Sequence, residues 1–209
     1  MSRSTLPSLT RQLAELIAAP SVSSTDPRHD TGNLGVIELL DGWLRDLGFR
    51  TEIQLLPGAP HKANLVAVLG AARDDAAREG LVLAGHIDTV PFDAGRWTSD
   101  PFTLTERDGA LHGLGSADMK GFFPLVIEAL RAFEERDLNA PLWVVATADE
   151  ESTMAGVKAL VSSGKPRARH AVIGEPTNLR PVRAHKGILM ESIRLSGRSG
   201  HSSDPSLGV

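Results

Sequence analysis

The stretch Leu81-Val82-Leu83-Ala84-Gly85-His86-Ile87-Asp88-Thr89-Val90-Pro91 decides how the rest of the chain is read. Its opening apolar run has the length of a short strand buried on both faces, the kind that fills the middle of a parallel sheet. Polar groups follow at once, with His86 and Asp88 two residues apart. On extended backbone such residues point to the same side, so an imidazole and a carboxylate share a face just past the strand.

Working outward from this strand, the chain alternates between helical and extended patterns. Upstream, Pro7 to Ala19 reads as a helix with Leu9, Leu13, Leu16 and Ile17 on one face, stopped by Pro20. Thr31 to Leu47 reads as a second helix, carried by Val36, Leu40, Trp43 and Leu47 and capped by Gly48. Phe49 to Leu56 and Asn64 to Leu69 read as strands joined by the loop Pro57-Gly58-Ala59-Pro60. Ala71 to Gly80 is polar and alanine-rich, the composition of an exposed connection.

Downstream, Leu104 to His112 predicts a hairpin turning at Asp108-Gly109. A helix follows Asp118, with Phe123, Val126, Leu130 and Phe133 on its apolar face and Pro124 early, where a missing amide donor costs least. Leu142 to Thr147 predicts another buried strand, Met154 to Val161 a short helix and Ala171 to Ile173 a strand. Ile188 to Leu195 reads as a strand with a new beginning. Strands alternating with helices predict an α/β fold, a three-layer sandwich with a mainly parallel central sheet.

The 209 residues suffice for one sizeable core, with room for a second small domain to begin. A net charge of -4 argues against a nucleic-acid partner, because phosphate binding needs a basic face. With no cysteine, disulfides and thiolate metal sites are excluded, and any metal must be held by His, Asp and Glu. Arg11 and Glu15 interrupt the only apolar stretch near the N-terminus, and no run reaches the length of a membrane span. The expectation is a soluble, cytoplasmic protein without a membrane partner. A phosphate-binding glycine loop and a Gly-x-Ser-x-Gly elbow are both missing from the sequence, so nucleotide hydrolysis and serine-hydrolase chemistry lack support.

Four polar clusters remain. His86 and Asp88 follow one strand, Asp149-Glu150-Glu151 follows another and Glu175 a third, while Asp118 precedes a helix. In open α/β sheets, ligands bind outside the carboxyl ends of the strands. Taken singly, each cluster has a plainer reading: a hydrogen-bonded loop histidine, a solvated turn, a helix cap, an exposed loop acid. Taken together they would place several carboxylates in one spot, which like-charge repulsion opposes unless a cation is present. One histidine with three carboxylates carries too much negative charge for a single zinc with an open position, and suits two metals sharing a bridging carboxylate. Asp88 could then accept from the imidazole N–H that the metal does not use, fixing the tautomer. His29, His61, His112, His170 and Lys186 are weaker candidates.

The clusters and their flanks resemble the M20 family of metallopeptidases and deacylases. The likeness runs through Gly85-His86-Ile87-Asp88-Thr89-Val90-Pro91, Gly95-Arg96-Trp97, Gly113-Leu114-Gly115-Ser116-Ala117-Asp118-Met119-Lys120-Gly121 and Thr147-Ala148-Asp149-Glu150-Glu151. It continues through Ile173-Gly174-Glu175-Pro176-Thr177, Ala184-His185-Lys186-Gly187 and Gly200-His201-Ser202-Ser203-Asp204-Pro205. It implies a dinuclear amidohydrolase of the zinc-peptidase fold, with two Zn2+ ions or Co2+ in their place, acting on a small-molecule N-acyl amino acid.

By that resemblance His86 and Glu175 bind one metal, Glu151 binds the other, and Asp118 bridges both. Glu150 is then the general base, Asp88 orients His86, and His201 crosses a homodimer interface to stabilise the oxyanion in the partner's site. Other peptidases or deacylases of the family are rival readings, as is a metal-binding chain without turnover. The resemblance also implies a further histidine ligand beyond Val209. Residues 1–182 are therefore expected to form an unfinished catalytic domain, and residues 183–209 the start of an inserted α+β dimerisation domain. The chain alone is expected to be an inactive N-terminal fragment.

Overall fold

The computed structural model describes residues 6–70, 80–184, 186–187, 191, 193–194 and 196–208. The chain divides into two compact units, Met1–Pro176 and Thr177–Val209.

In the first unit, α1 (Leu9–Ala18) begins where the Ser8 hydroxyl accepts the Arg11 N–H, and it buries Leu13, Leu16 and Ile17. Helix α2 (Leu34–Asp46) buries Val36, Ile37, Leu40, Trp43 and Leu44, and the chain leaves it through Gly48 at φ +90°. It starts later than Thr31 because the preceding backbone is already committed. The Thr31 N–H donates to Val22 O, and the Asn33 side chain exchanges two 2.9 Å hydrogen bonds with the backbone of Ala63.

Strands β1 (Arg50–Leu56) and β2 (Ala59–Leu69) form an antiparallel hairpin. Its turn is only Pro57-Gly58, because Leu56 pairs with Ala59 after a register shift. Ala59 and Pro60, expected in the loop, therefore begin the strand. Strand β3 (Leu81–His86) lies parallel to both β6 (Leu142–Thr147) and β7 (His170–Ile173). The order β1-β2-β6-β3-β7 makes a mixed sheet, antiparallel from β1 to β6 and parallel from β6 to β7. The α/β class stands, with the parallel order confined to one half. Leu81 to Ala84 are half-buried rather than buried, because their neighbour β7 is exposed along its length.

Alternation sorts the side chains of β2 and β6. Ala63, Leu65, Ala67 and Leu69, with Leu142, Val144 and Ala146, join α2 and α3 (Phe122–Leu130) in the main core. Asn64 points to the opposite face, where its amide donates to Gly156 O at 2.9 Å and so ties down α4 (Ala155–Ser163). A Cβ on Gly156 would stand 2.3 Å from Ala148 O, so only glycine permits this approach. The hairpin of β4 (Thr105–Arg107) and β5 (Ala110–His112) turns through Asp108 at φ 54° and Gly109 at φ 71°. Paired positive φ values of this kind are what an Asp-Gly hairpin turn requires. Helix α3 ends at Leu130, which leaves Phe133 46% exposed beyond it rather than on its apolar face.

In the second unit the described residues include a single 3-10 turn at Pro205–Leu207. Most of the strand expected over Ile188 to Leu195, with His185 and residues 71–79 of the expected connection, lies outside the described residues.

Candidate metal centre

Because β3, β6 and β7 run parallel, their carboxyl ends open on the same edge of the sheet. His86 is the last residue of β3, one position earlier than a loop placement would give, and is 2% exposed. Its Nδ1–H donates to the Asp88 carbonyl at 2.9 Å. Nε2 then faces Asp118 Oδ1 at 3.1 Å and Glu175 Oε1 at 4.0 Å. Burial opposes a charge on this ring, but Asp88, Glu175 and Glu150 outweigh it and hold its pKa above the usual range.

The hydrogen bond expected from the Asp88 carboxylate is thus made by its backbone. The Asp88 Oδ1 lies 3.7 Å from Nδ1. The carboxylate instead accepts the Glu150 N–H at 3.1 Å and the Glu151 N–H at 3.0 Å. The segment is pinned in this pose by Thr89, whose N–H donates to Ser21 O and whose carbonyl accepts from the Ser23 N–H. Burial raises the pKa of Asp88, and the two amide donors work against that rise.

Glu150 and Glu151 sit in the turn after β6, where Asp149 adopts φ 58°. This turn is held from several sides. The Asn64 Oδ1 accepts the Ala148 N–H at 3.1 Å, and the Asp149 Oδ1 accepts from Lys62 Nζ at 2.6 Å and Ser23 Oγ at 2.9 Å. Ser23 and Ser152 hydroxyls are also bonded to each other. Lys62 reaches the turn because β2 is antiparallel to β6, which brings the start of β2 beside the end of β6. Desolvation works against the Lys62 ammonium, yet Asp149 and Asp30 together raise its pKa.

Asp118 lies in the loop before α3, with its side chain 53% exposed. Two residues on, Lys120 is 1% exposed, and its ammonium donates to Leu16 O at 3.0 Å and Ala19 O at 2.8 Å. It thereby satisfies carbonyls at the C-terminal end of α1. Burial lowers its pKa to about 8, with the charge of Asp88 opposing. Sequence reasoning assigned roles to neither Lys120 nor Lys62. A lysine in a polar stretch reads as surface, and the one available signal was the placement of Lys120 between Asp118 and an apolar helix.

The cluster forms two overlapping groups. Ligand atoms of His86, Asp118 and Glu175 lie within 4.8 Å of one another, and so do those of His86, Glu150 and Glu151. Burial raises the pKa of both Glu151 and Glu175, and the charge of Asp118 adds to each. Carboxylates that repel one another around a buried imidazole, Glu150 and Glu151 half-buried and Asp118 and Glu175 exposed, are a donor set suited to a hard or borderline divalent cation. His201 belongs to the second unit, where its Nδ1 lies 2.8 Å from Ser203 Oγ. His61 pairs with Asp30 at 3.6 Å, and it belongs to neither of these groups, nor do His29, His112 and His170.

Residues 82–195 match the model of Peptidase family M20/M25/M40. The chain belongs to this family. An M20 assignment agrees with the solved structures it resembles. Human carnosine dipeptidase 1 superposes with a TM-score of 0.64 at 27% identity, covering 79% of this chain and 37% of that one. An M20 family metallo-carboxypeptidase from Sulfolobus solfataricus gives a TM-score of 0.62 at 18% identity, over 81% of this chain and 37% of that one, a likeness of fold. Among curated relatives, the acetylornithine deacetylase of Yersinia pestis is 52% identical over 204 residues, 98% of this chain and 52% of that protein. That of Pectobacterium carotovorum subsp. carotovorum (strain PC1) is 54% identical over the same shares. The M20 chain thus spans about half the length of the curated relatives it matches. No helix among the described residues is long and apolar enough to cross a membrane.

Proposed function

We propose that the protein carrying this chain hydrolyses N2-acetyl-L-ornithine to L-ornithine and acetate, a step of arginine biosynthesis. The observation that carries the reading is the gathering of Asp118, Glu150, Glu151 and Glu175 around His86, in a chain more than half identical to proteins named acetylornithine deacetylase. His86 and Glu175 would hold one divalent ion and Glu151 the other, with Asp118 serving both. The ions would be Zn2+, or Co2+ in their place. A divalent pair, when bound, supplies Lewis acidity that lowers the pKa of the attacking water.

Glu150 accepts the proton of that water as its oxygen adds to the acyl carbon. Glu150 then gives a proton to the amine nitrogen as the C–N bond breaks. Asp88 holds the backbone of Glu150 and Glu151, and it fixes the His86 tautomer through its carbonyl. Residues 1–182 belong to the catalytic domain and residues 183–209 to an inserted dimerisation domain. From there His201 stabilises the oxyanion in the partner's site of a cytoplasmic homodimer.

The test is acetate release from N2-acetyl-L-ornithine by the full-length protein, with and without a chelator, beside succinate release from N-succinyl-diaminopimelate. Chelator-sensitive turnover of the acetyl substrate alone is expected. Turnover of the succinyl substrate in its place would retain the metal centre and overturn the substrate.

A further inference from the structure

Asp149, Glu150 and Glu151 are consecutive acids, yet the groups around His86 take only Glu150 and Glu151. Asp149 is buried, 6% exposed, and turned elsewhere. Its Oδ1 meets the Lys62 ammonium at 2.6 Å and the Ser23 hydroxyl at 2.9 Å. Lys62 is 5% exposed and shares its charge with Asp30 Oδ1 at 2.7 Å. The anchor is built from separate parts of the chain: Ser23 is fixed through its N–H to Thr89 O at 2.8 Å, and Lys62 by its place in β2.

Resting on the metal reading above, we propose that Lys62 is a positioning residue that holds the Asp149 carboxylate off the metal centre. It thereby decides which two of three consecutive acids are presented there. A carboxylate within reach of a divalent ion is a competing ligand, and a buried anion stripped of its partner is costly. With the ammonium removed, a divalent ion held beside the adjoining Glu150 and Glu151 would be the alternative cation for Asp149. Turning toward it would displace Glu150 or Glu151, because the three side chains share one short turn.

The test uses Co2+ alone as the probe in the full-length protein. Its visible absorption spectrum, its affinity by titration and the melting temperature are compared across variants. Lys62→Met is expected to change the spectrum and weaken Co2+ binding by about 10–100-fold. Lys62→Met combined with Asp149→Asn is expected to bring the spectrum back toward that of the unaltered protein, because the competing charge is gone. A lower melting temperature with unchanged spectrum and affinity would mean a merely structural ion pair, and would overturn the proposal. Should Lys62→Met fail to fold, Ser23→Ala removes one donor only and is expected to shift the spectrum in the same direction by less. No shift in that folded variant is equally fatal to the idea. If the unaltered protein binds no Co2+, both readings fall, and that result identifies the metal centre as the failed one.

Discussion

Asp88 and Glu151, 63 residues apart in sequence, are joined by a 3.0 Å hydrogen bond from the Glu151 backbone N–H to the Asp88 carboxylate. The same carboxylate takes the Glu150 N–H, while the Asp88 carbonyl takes His86 Nδ1–H. One residue therefore sets the imidazole with its backbone and the acidic turn with its side chain. In Asp88→Asn the amide oxygen can accept from one of the two N–H groups, but its NH2 confronts the other. The carbonyl bond to His86 survives. The expected result is a loss of about 10–100-fold in kcat with metal content nearly retained. An unchanged kcat for acetate release would remove the turn-holding role.

Glu150→Gln separates base from ligand. The amide keeps the size and the backbone anchor of Glu150 but cannot take a proton. Turnover should fall by about 10²–10⁴-fold, with the metal content of the unaltered protein retained by elemental analysis. Loss of metal in this variant would sink the assignment of Glu150 as base.

Packing at α4 predicts a stability effect. In Gly156→Ala the new methyl would press on Ala148 O and on Asn64 Oδ1, which lies 2.5 Å from the same Cβ position. Overpacking of this kind costs about 1–3 kcal/mol. Urea denaturation is the check, and a midpoint equal to that of the unaltered protein would contradict the close approach.

Acid should probe Asp30. Burial opposes its charge, but the Lys62 ammonium and the Ser24 N–H outweigh that and hold its pKa below the ordinary value. An unfolded aspartate takes up its proton near pH ~4, before the folded one does. Its contribution to stability is therefore complete above that pH and is lost as pH falls through the lowered native pKa. Asp30→Asn should flatten this part of the stability-versus-pH curve, followed by urea denaturation between neutral and acid pH. An acid limb of unaltered steepness would assign the effect to other carboxylates.

Much of this was legible in the sequence, for identifiable reasons. Helices α1 and α2 carry apolar residues at helical spacing, and β6 carries an unbroken apolar run of strand length. The Asp108-Gly109 turn has little alternative. The antiparallel pairing of β2 with β6 was not legible, because an apolar strand pattern does not say which way its neighbour runs. Nor was the bond between the Asp88 carbonyl and His86, since backbone acceptors leave no mark on residue type. Three of the four acids gathered around His86, namely Glu150, Glu151 and Glu175, could be picked out because they follow strands, and Asp118 because it precedes a helix. The lysines behind them could not, because their burial depends on contacts 87 and 104 residues away.

The antiparallel entry of β2 also bears on how portable the centre is. Residues 82–195, the span that matches the family, contain His86, Asp118, Glu150, Glu151 and Glu175. Ser23, Lys62 and Asn64, which grip the acidic turn, and Asp30, which pairs with Lys62, all precede it. A graft of the matched span onto another scaffold would thus transplant the donors without the frame that aims them, so chimaeras of this protein should be cut before Ser23.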